Sequence, residues 1–71
     1  MEYNEFKELE QISQAQFDYL VSAGVIKRTR KFKKPRTMRV DETTGKVLYF
    51  DRFFNKVNFC GYFEKGEQGN D

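Results

Sequence analysis

Apolar residues recur at helical spacing at the start of the chain. Tyr3, Phe6 and Leu9 lie three residues apart, Ile12 or Gln11 follows one turn on, and the glutamates between them fall on the opposite side. Side chains three or four positions apart share one face of an α-helix, so this spacing predicts a first helix over residues 3–12.

A second helix is predicted directly after Ser13. Ser13 and Gln16 have the spacing of a capping box, in which a serine oxygen accepts a backbone N–H near the helix start. Phe17 and Leu20 begin an apolar stripe, and Gly24 stands where a helix end favours a residue with positive φ. The pattern predicts a helix over residues 14–23.

The second half of the chain has the alternation of β-strands. Residues 37–41 and 46–50 flank a turn at 42–45, where Gly45 supplies the positive φ that the turn requires. Residues 53–64 also alternate, and their Phe, Val, Asn and Gly residues are weak helix formers, so a strand is favoured there over a helix. The predicted fold is α+β, with two short N-terminal helices followed by an antiparallel β-hairpin wing or three-stranded meander.

The length of 71 residues predicts one small domain. A chain of this size buries only roughly 60% of its unfolded surface, so a deep enclosed pocket is not expected. The domain is predicted to span residues 1–64. The Gly-rich polar tail, residues 65–71, is predicted to be disordered.

Aromatic residues make up 17% of the chain, with eight Phe and four Tyr. Most are expected in the core, but a sheet covered on one face does not need so many. Tyr49 and Tyr62 have polar tips and are the predicted surface aromatics. They are candidates for stacking on bases or for a protein interface, and a homodimer stays open as one such interface.

The most distinctive feature is the basic strip, residues 27–39. It holds eight of the thirteen Lys and Arg residues and no acid, whereas residues 1–26 carry five acids and one base. A small protein polarised in this way usually meets a polyanion. The predicted phosphate-contacting residues are Lys27, Arg28, Arg30, Lys31, Lys33, Lys34, Arg36 and Arg39.

Pro35 restricts the backbone of this strip. It favours extended geometry at the preceding residue and is unsuited to a central strand, so residues 27–35 are predicted to be an edge strand or an extended loop. Two alternatives to phosphate binding remain: a solvated or internally paired loop, and a surface for an acidic protein.

Several kinds of chemistry are not expected. The chain has no His and one Cys, Cys60, which excludes histidine-dependent catalytic triads, an internal disulfide and a structural zinc site with several soft ligands. A lone cysteine fits a reducing cytoplasm, and no apolar run is long enough for a membrane span. We therefore predict that the protein is not an enzyme and that it needs no cofactor or metal.

Residues 12–27, ISQAQFDYLVSAGVIK, resemble the helix-turn-helix portion of winged-helix proteins of the excisionase and MerR type. The resemblance covers roughly residues 5–52 and includes the segment from Leu20 to Ile26. It implies DNA binding, a basic hairpin wing and a third helix within residues 53–64.

The chain departs from the family because residues 14–23 contain Asp18 and no Lys or Arg. Gln14 and Gln16 are therefore the polar side chains with which that helix would read adenine edges. A core helix over a sheet is the other interpretation.

Two functional hypotheses follow. The first is a small nucleic-acid-binding accessory or regulatory protein of phage or mobile-element type, with DNA ahead of RNA, that contacts phosphates through the basic strip. The second is a phage-type protein-interaction module or inhibitor. It would dock on a host nucleic-acid enzyme through the basic strip and the aromatic sheet.

Overall fold

The computed structural model describes residues 1–64, in which seven elements form one antiparallel sheet and two helices. The sheet has five strands in the order β1-β3-β4-β5-β2. In chain order the elements are α1 (Tyr3–Phe6), β1 (Glu10–Ile12), α2 (Gln14–Ser22), β2 (Ile26–Arg28), β3 (Met38–Asp41), β4 (Lys46–Asp51) and β5 (Lys56–Phe63).

The predicted α+β class is confirmed, and the predicted three-stranded meander is the centre of the sheet. Strands β3, β4 and β5 follow one another, with Gly45 at φ 77° in the turn between β3 and β4. The prediction omitted β1 and left β2 open, as an edge strand or a loop; these two add one short strand to each edge. Three-residue strands carry too little alternation to be recognised without their partners. The predicted disordered tail lies outside the described residues.

The predicted first helix is wrong beyond its first turn. Only Tyr3–Phe6 is helical, and residues 10–12 form β1, which pairs antiparallel with β3. An isolated helix of ten residues is marginal in water, so pairing with a distant strand can override its spacing. The pairing places Ile12 opposite Met38, and both side chains are buried.

The predicted second helix is confirmed to within one residue. The Oγ of Ser13 accepts the backbone N–H of Gln16 at 3.0 Å, and Gly24 has a φ of 81° just beyond the C-terminus. Phe17 is fully buried and lies against the sheet, whereas Tyr19 is 68% exposed. The helix therefore buries one side against the sheet and leaves the other in water.

The two faces of the sheet are covered differently. The helix face, which α2 covers through Phe17, forms the main core. The second face carries Leu48 and Phe50, and Phe6 of α1 packs there with its ring centroid 6.4 Å from that of Phe50. The core side chains of the helix face are Ile12, Ile26, Met38, Val47, Tyr49 and Cys60.

The prediction of a strand within residues 53–64 is confirmed by β5, so the third helix that the winged-helix resemblance implied there is not formed. The pairing of β4 with β5 shifts register opposite Val47 and Leu48. At this irregularity Gly61 lies so close to β2 that an added Cβ would be 3.0 Å from the carbonyl oxygen of Lys27. The absence of a side chain at Gly61 therefore lets the edge strand dock.

The Cys60 thiol is fully buried and donates to the carbonyl oxygen of Val47, at a distance of 3.5 Å between sulfur and oxygen. Burial raises the pKa of this thiol from 9.0 to about 11, with the nearby Arg30 acting in the opposite direction. Between these two pH values the unfolded chain loses the thiol proton while the folded chain keeps it. As the pH rises above about 9, loss of this proton therefore favours the unfolded chain and lowers the stability of the fold.

We expect this group to lower the free energy of unfolding as the pH rises from about 9 to about 11, with a slope of about 1.4 kcal/mol per pH unit. Urea unfolding of the wild type and of Cys60→Ala at several pH values would measure it. The variant lacks the thiol and keeps every other side chain of the wild type. An identical pH dependence for both proteins would contradict the prediction.

Candidate nucleic-acid interface

The basic strip divides into a strand end and a loop. Lys27 and Arg28 belong to β2, and the backbone N–H of Thr29 still donates to the carbonyl oxygen of Cys60 on β5. Residues 29–37, the basic loop, then connect β2 at one edge of the sheet to β3 near the other edge. The prediction for residues 27–35 was an edge strand or an extended loop, and the structure has the first up to Arg28 and the second beyond it.

The basic loop is anchored by Phe32, which packs against the core of the helix face. Its ring meets that of Tyr49 edge to face, with 4.9 Å between the centroids. The guanidinium of Arg36 lies 5.2 Å from the Phe32 ring centroid and 5.1 Å from that of Tyr49, and that of Arg30 lies 5.9 Å from Tyr49. Two of the predicted phosphate ligands thus also fix the loop to the sheet.

This packing corrects the prediction for Tyr49. Its side chain is only 2% exposed, because the basic loop covers the part of β4 from which it projects. It therefore cannot offer a stacking surface to a base. Tyr62 lies on the second face and remains 36% exposed, beside Phe59 and Lys46.

Gln14 holds the far end of the same loop. Its Oε1 accepts the backbone N–H of Arg36 at 2.8 Å, so one end of the amide that was predicted to read an adenine edge is already bonded. Gln16 is exposed, and its backbone N–H is used by the Ser13 cap. The start of α2 thus serves to position the loop.

Two further arginines of the strip are bonded within the protein. Arg28 forms an ion pair with Asp18 of α2, with 3.7 Å between nitrogen and oxygen. Arg39 is half-buried on the second face, and its Nη1 donates to the carbonyl oxygens of Lys7 and Leu9 at 3.2 Å and 2.8 Å. Strand alternation turns Arg39 to the second face, so it does not share a surface with the loop lysines.

The remaining cations of the basic loop are Lys31, Lys33 and Lys34. All three are exposed, and they form no ion pair with a carboxylate among residues 1–64. Lys27 is exposed as well, but it pairs across the sheet with Tyr62 and belongs to the second face. The loop lysines are therefore the charges that are freely available to an anionic partner.

Charge is also separated along the strands. The turn between β3 and β4 and the nearby residues carry Glu8, Glu10, Asp41 and Glu42, which line one shallow groove. The opposite end, where β3 begins and β4 ends, carries Arg36 and Arg52. We call this opposite end the basic end, and an anion is attracted to it and away from the other.

Sequence reasoning predicted a turn between β4 and β5, at Asn55 and Lys56, but it did not predict that Phe53 and Phe54 would be exposed there. Phe53 and Phe54 are 89% and 67% exposed there, and their rings meet edge to face at 4.9 Å. The Oδ1 of Asp51 accepts both of their backbone N–H groups, at 3.0 Å and 3.2 Å, so the turn is ordered. An Asp placed two and three residues before the aromatic pair is a turn signal that would have placed the pair in the turn.

Within residues 1–64 no three His, Cys, Asp or Glu side chains are grouped so as to hold a metal ion. In the same part of the chain, no helix has the length and apolar character needed to cross a membrane. Comparisons of this chain with protein-family models, with curated proteins and with solved structures each find no match.

Proposed function

We propose that this protein binds nucleic acid by its phosphates, through the exposed lysines of the basic loop, as a small accessory or regulatory protein. The observation that carries the proposal is the loop itself. Lys31, Lys33 and Lys34 stand on a segment that aromatic packing and a hydrogen bond from Arg36 hold in place, with no ion pair to a carboxylate of residues 1–64. Fixed, unpaired cations release counterions when they meet phosphates.

The anchoring of the loop favours binding over simple solvation. A solvated charged loop needs no apolar contact, whereas here the rings of Phe32 and Tyr49 and the guanidinium of Arg36 pack against one another. Such ordering before contact reduces the conformational entropy that is lost on binding. The alternative was that the charges of the basic strip are paired within the protein. Among residues 1–64, Arg28 is the member of the strip that forms such an ion pair, with Asp18.

Helix α2 does not favour base reading. It has no Lys or Arg, its Asp18 is committed to Arg28, and its Gln14 is committed to the loop. The proposed binding is therefore driven by phosphates. DNA comes before RNA as the partner, in keeping with the winged-helix resemblance of residues 12–27.

Fluorescence anisotropy of labelled oligonucleotides measures this binding. We expect the wild-type protein to bind at about 50 mM salt and to weaken strongly at about 200 mM, with a logarithmic slope of at least about 2 from three phosphate contacts. Duplex DNA, single-stranded DNA and RNA of equal length are compared to identify the preferred polymer. If none of them binds at the lower salt concentration, the proposal is refuted.

The turn at Phe53 and Phe54 favours the second candidate function, docking on another protein. Two exposed phenylalanines on an ordered turn are unusual in water and are typical of an interface. Under this hypothesis Phe53→Ser with Phe54→Ser removes a partner from a pull-down, while the loop lysines add long-range attraction. Retention of nucleic-acid binding by this double variant separates the two functions.

A further inference from the structure

A cleft opens at the basic end on the second face of the sheet. It lies between α1, the residues that lead into β3 and the end of β4, and its volume is about 520 Å³. Sites for small ligands in proteins are typically about 300–1,000 Å³. The cleft is therefore large enough to take one nucleotide unit.

One side of this cleft is cationic. Arg36, Arg39 and Arg52 line it, and no Asp or Glu of residues 1–64 does. Guanidinium groups present planar arrays of N–H donors that match phosphate oxygens in pairs. The lining therefore carries three positive charges, of which that of Arg36 also packs on the Phe32 and Tyr49 rings and that of Arg39 also donates to backbone carbonyl oxygens.

The other side is aromatic. Tyr3 is 49% exposed, and its ring centroid lies 4.7 Å from that of Phe50. Phe6 lies behind them at 6.2 Å from Tyr3 and is buried. The Tyr3 ring is thus backed by two other rings and still exposes half of its surface to the solvent.

Arg39 joins these two sides. Its guanidinium lies 5.3 Å from the centroid of the Phe6 ring, and its Nη1 is fixed by the carbonyl oxygens of Lys7 and Leu9. Its Nε–H is buried and has no acceptor among residues 1–64. A buried donor without a partner is rare in folded proteins, and here it belongs to a residue that lines the cleft.

We propose that this cleft holds one unstacked nucleotide of a single-stranded nucleic acid. The phosphate lies between Arg36 and Arg52, and the base stacks on Tyr3. The inference rests on the proposed function, because Arg36 belongs to both the basic loop and the cleft. A strand that follows the loop lysines is thereby led to the aromatic wall.

The aromatic wall is what selects a single strand. In a duplex the faces of a base are covered by its neighbours, so only an unpaired base can lie flat on a tyrosine ring. Phosphate contacts alone bind a duplex and a single strand alike. The cleft therefore predicts a preference for single strands, which the loop lysines do not.

Two pairs of matched variants test the cleft by anisotropy with a single-stranded oligonucleotide. Tyr3→Leu is expected to weaken binding about 5- to 150-fold, the range for the loss of one stacked base. Arg52→Ser is expected to weaken it about tenfold, as for the loss of a hydrogen bond to a charged group. Their controls are Tyr19→Leu on the exposed side of α2 and Lys46→Ser at the other end of β4, both expected within about threefold of wild type.

A fluorescent probe reports stacking directly, because the wild-type chain has no Trp. Tyr3→Trp places a single indole in the cleft, and Tyr19→Trp places one on the exposed side of α2. We expect an unlabelled single strand to quench the first and leave the second unchanged. A duplex of equal length leaves both unchanged.

The outcomes separate the two proposals. If single strands bind but neither Tyr3→Leu nor Arg52→Ser differs from its control, and the Tyr3→Trp probe is not quenched, the cleft proposal is overturned while phosphate binding by the loop stands. If no oligonucleotide binds at low salt, both proposals fail together. Quenching of the Tyr3→Trp probe, with weaker binding by both cleft variants, supports the assignment.

Discussion

Phe17→Ala is expected to lose about 3–5 kcal/mol of the free energy of unfolding, the usual range for removing a buried phenylalanine. Phe17 is fully buried and is the large side chain through which α2 covers the helix face. For 71 residues the whole stability is about 4–11 kcal/mol, at about 0.05–0.15 kcal/mol per residue. The loss would therefore leave the variant close to unfolding at room temperature.

Urea unfolding followed by circular dichroism measures the change. With a slope of about 1 kcal/mol per molar urea for a small protein, the midpoint should fall by about 3–5 M. Tyr19→Ala is the matched control, since it removes an aromatic ring from the same helix at a position that is 68% exposed. Equal midpoints for the two variants would contradict the packing of α2 on the sheet.

The elements that were predicted correctly are those whose signals are local. Ser13 and Gly24 mark the ends of α2 by backbone chemistry that needs no distant partner, and Gly45 does the same for the turn between β3 and β4. The alternation within β5 is long enough to be recognised in isolation. In each case the cause of the structure lies within a few residues of the pattern that reports it.

The edge strands show where local pattern fails. Residues 3–12 have helical spacing, yet Glu10–Ile12 is extended because β3 offers it a ladder of backbone partners. Ile12, one of the positions that the spacing marked as apolar, is buried in the strand. The spacing of apolar residues does not reveal which distant strand pairs with this segment, and that pairing decides between helix and extended backbone.

The basic strip was recognised as a unit, but its members have separate roles. A run of charges does not reveal that Arg28 meets Asp18, that Arg39 turns to the other face, or that Tyr49 lies beneath Phe32. Each of these facts depends on a contact between residues that are distant in the chain. The cleft was missed for the same reason, because Tyr3, Arg36 and Arg52 come from three separate segments.

The basic loop leads into the cleft. The loop lysines precede Arg36 in the chain, and Arg36 lines the cleft together with Arg52 and Tyr3. Glutamates and Asp41 occupy the other end of the sheet, where they repel phosphates. A bound strand is therefore expected to begin on the loop and finish in the cleft, with electrostatic attraction bringing it to one end of the protein.

Replacement of Lys31, Lys33 and Lys34 together by Ser is expected to have the largest effect on binding. Each phosphate contact contributes a logarithmic salt slope of about 0.9 on duplex DNA and about 0.7 on a single strand, so three lost contacts weaken binding about 100- to 1,000-fold near 0.1 M salt. The fold should be unaffected, since these three side chains are exposed and the anchors Phe32 and Arg36 remain. Anisotropy titrations over a range of salt concentrations give both the affinity and the slope.

The matched control replaces Lys27, Lys46 and Lys56 by Ser, which removes the same charge from exposed lysines outside the basic loop. The net charge changes from +2 to −1 in both triple variants, as three positive charges are lost in each. If binding depends on the position of the loop lysines, the control keeps most of its affinity and nearly all of its salt slope. Equal losses in the two variants would mean that only net charge attracts the nucleic acid, and the basic loop would no longer be assigned as the phosphate-binding surface.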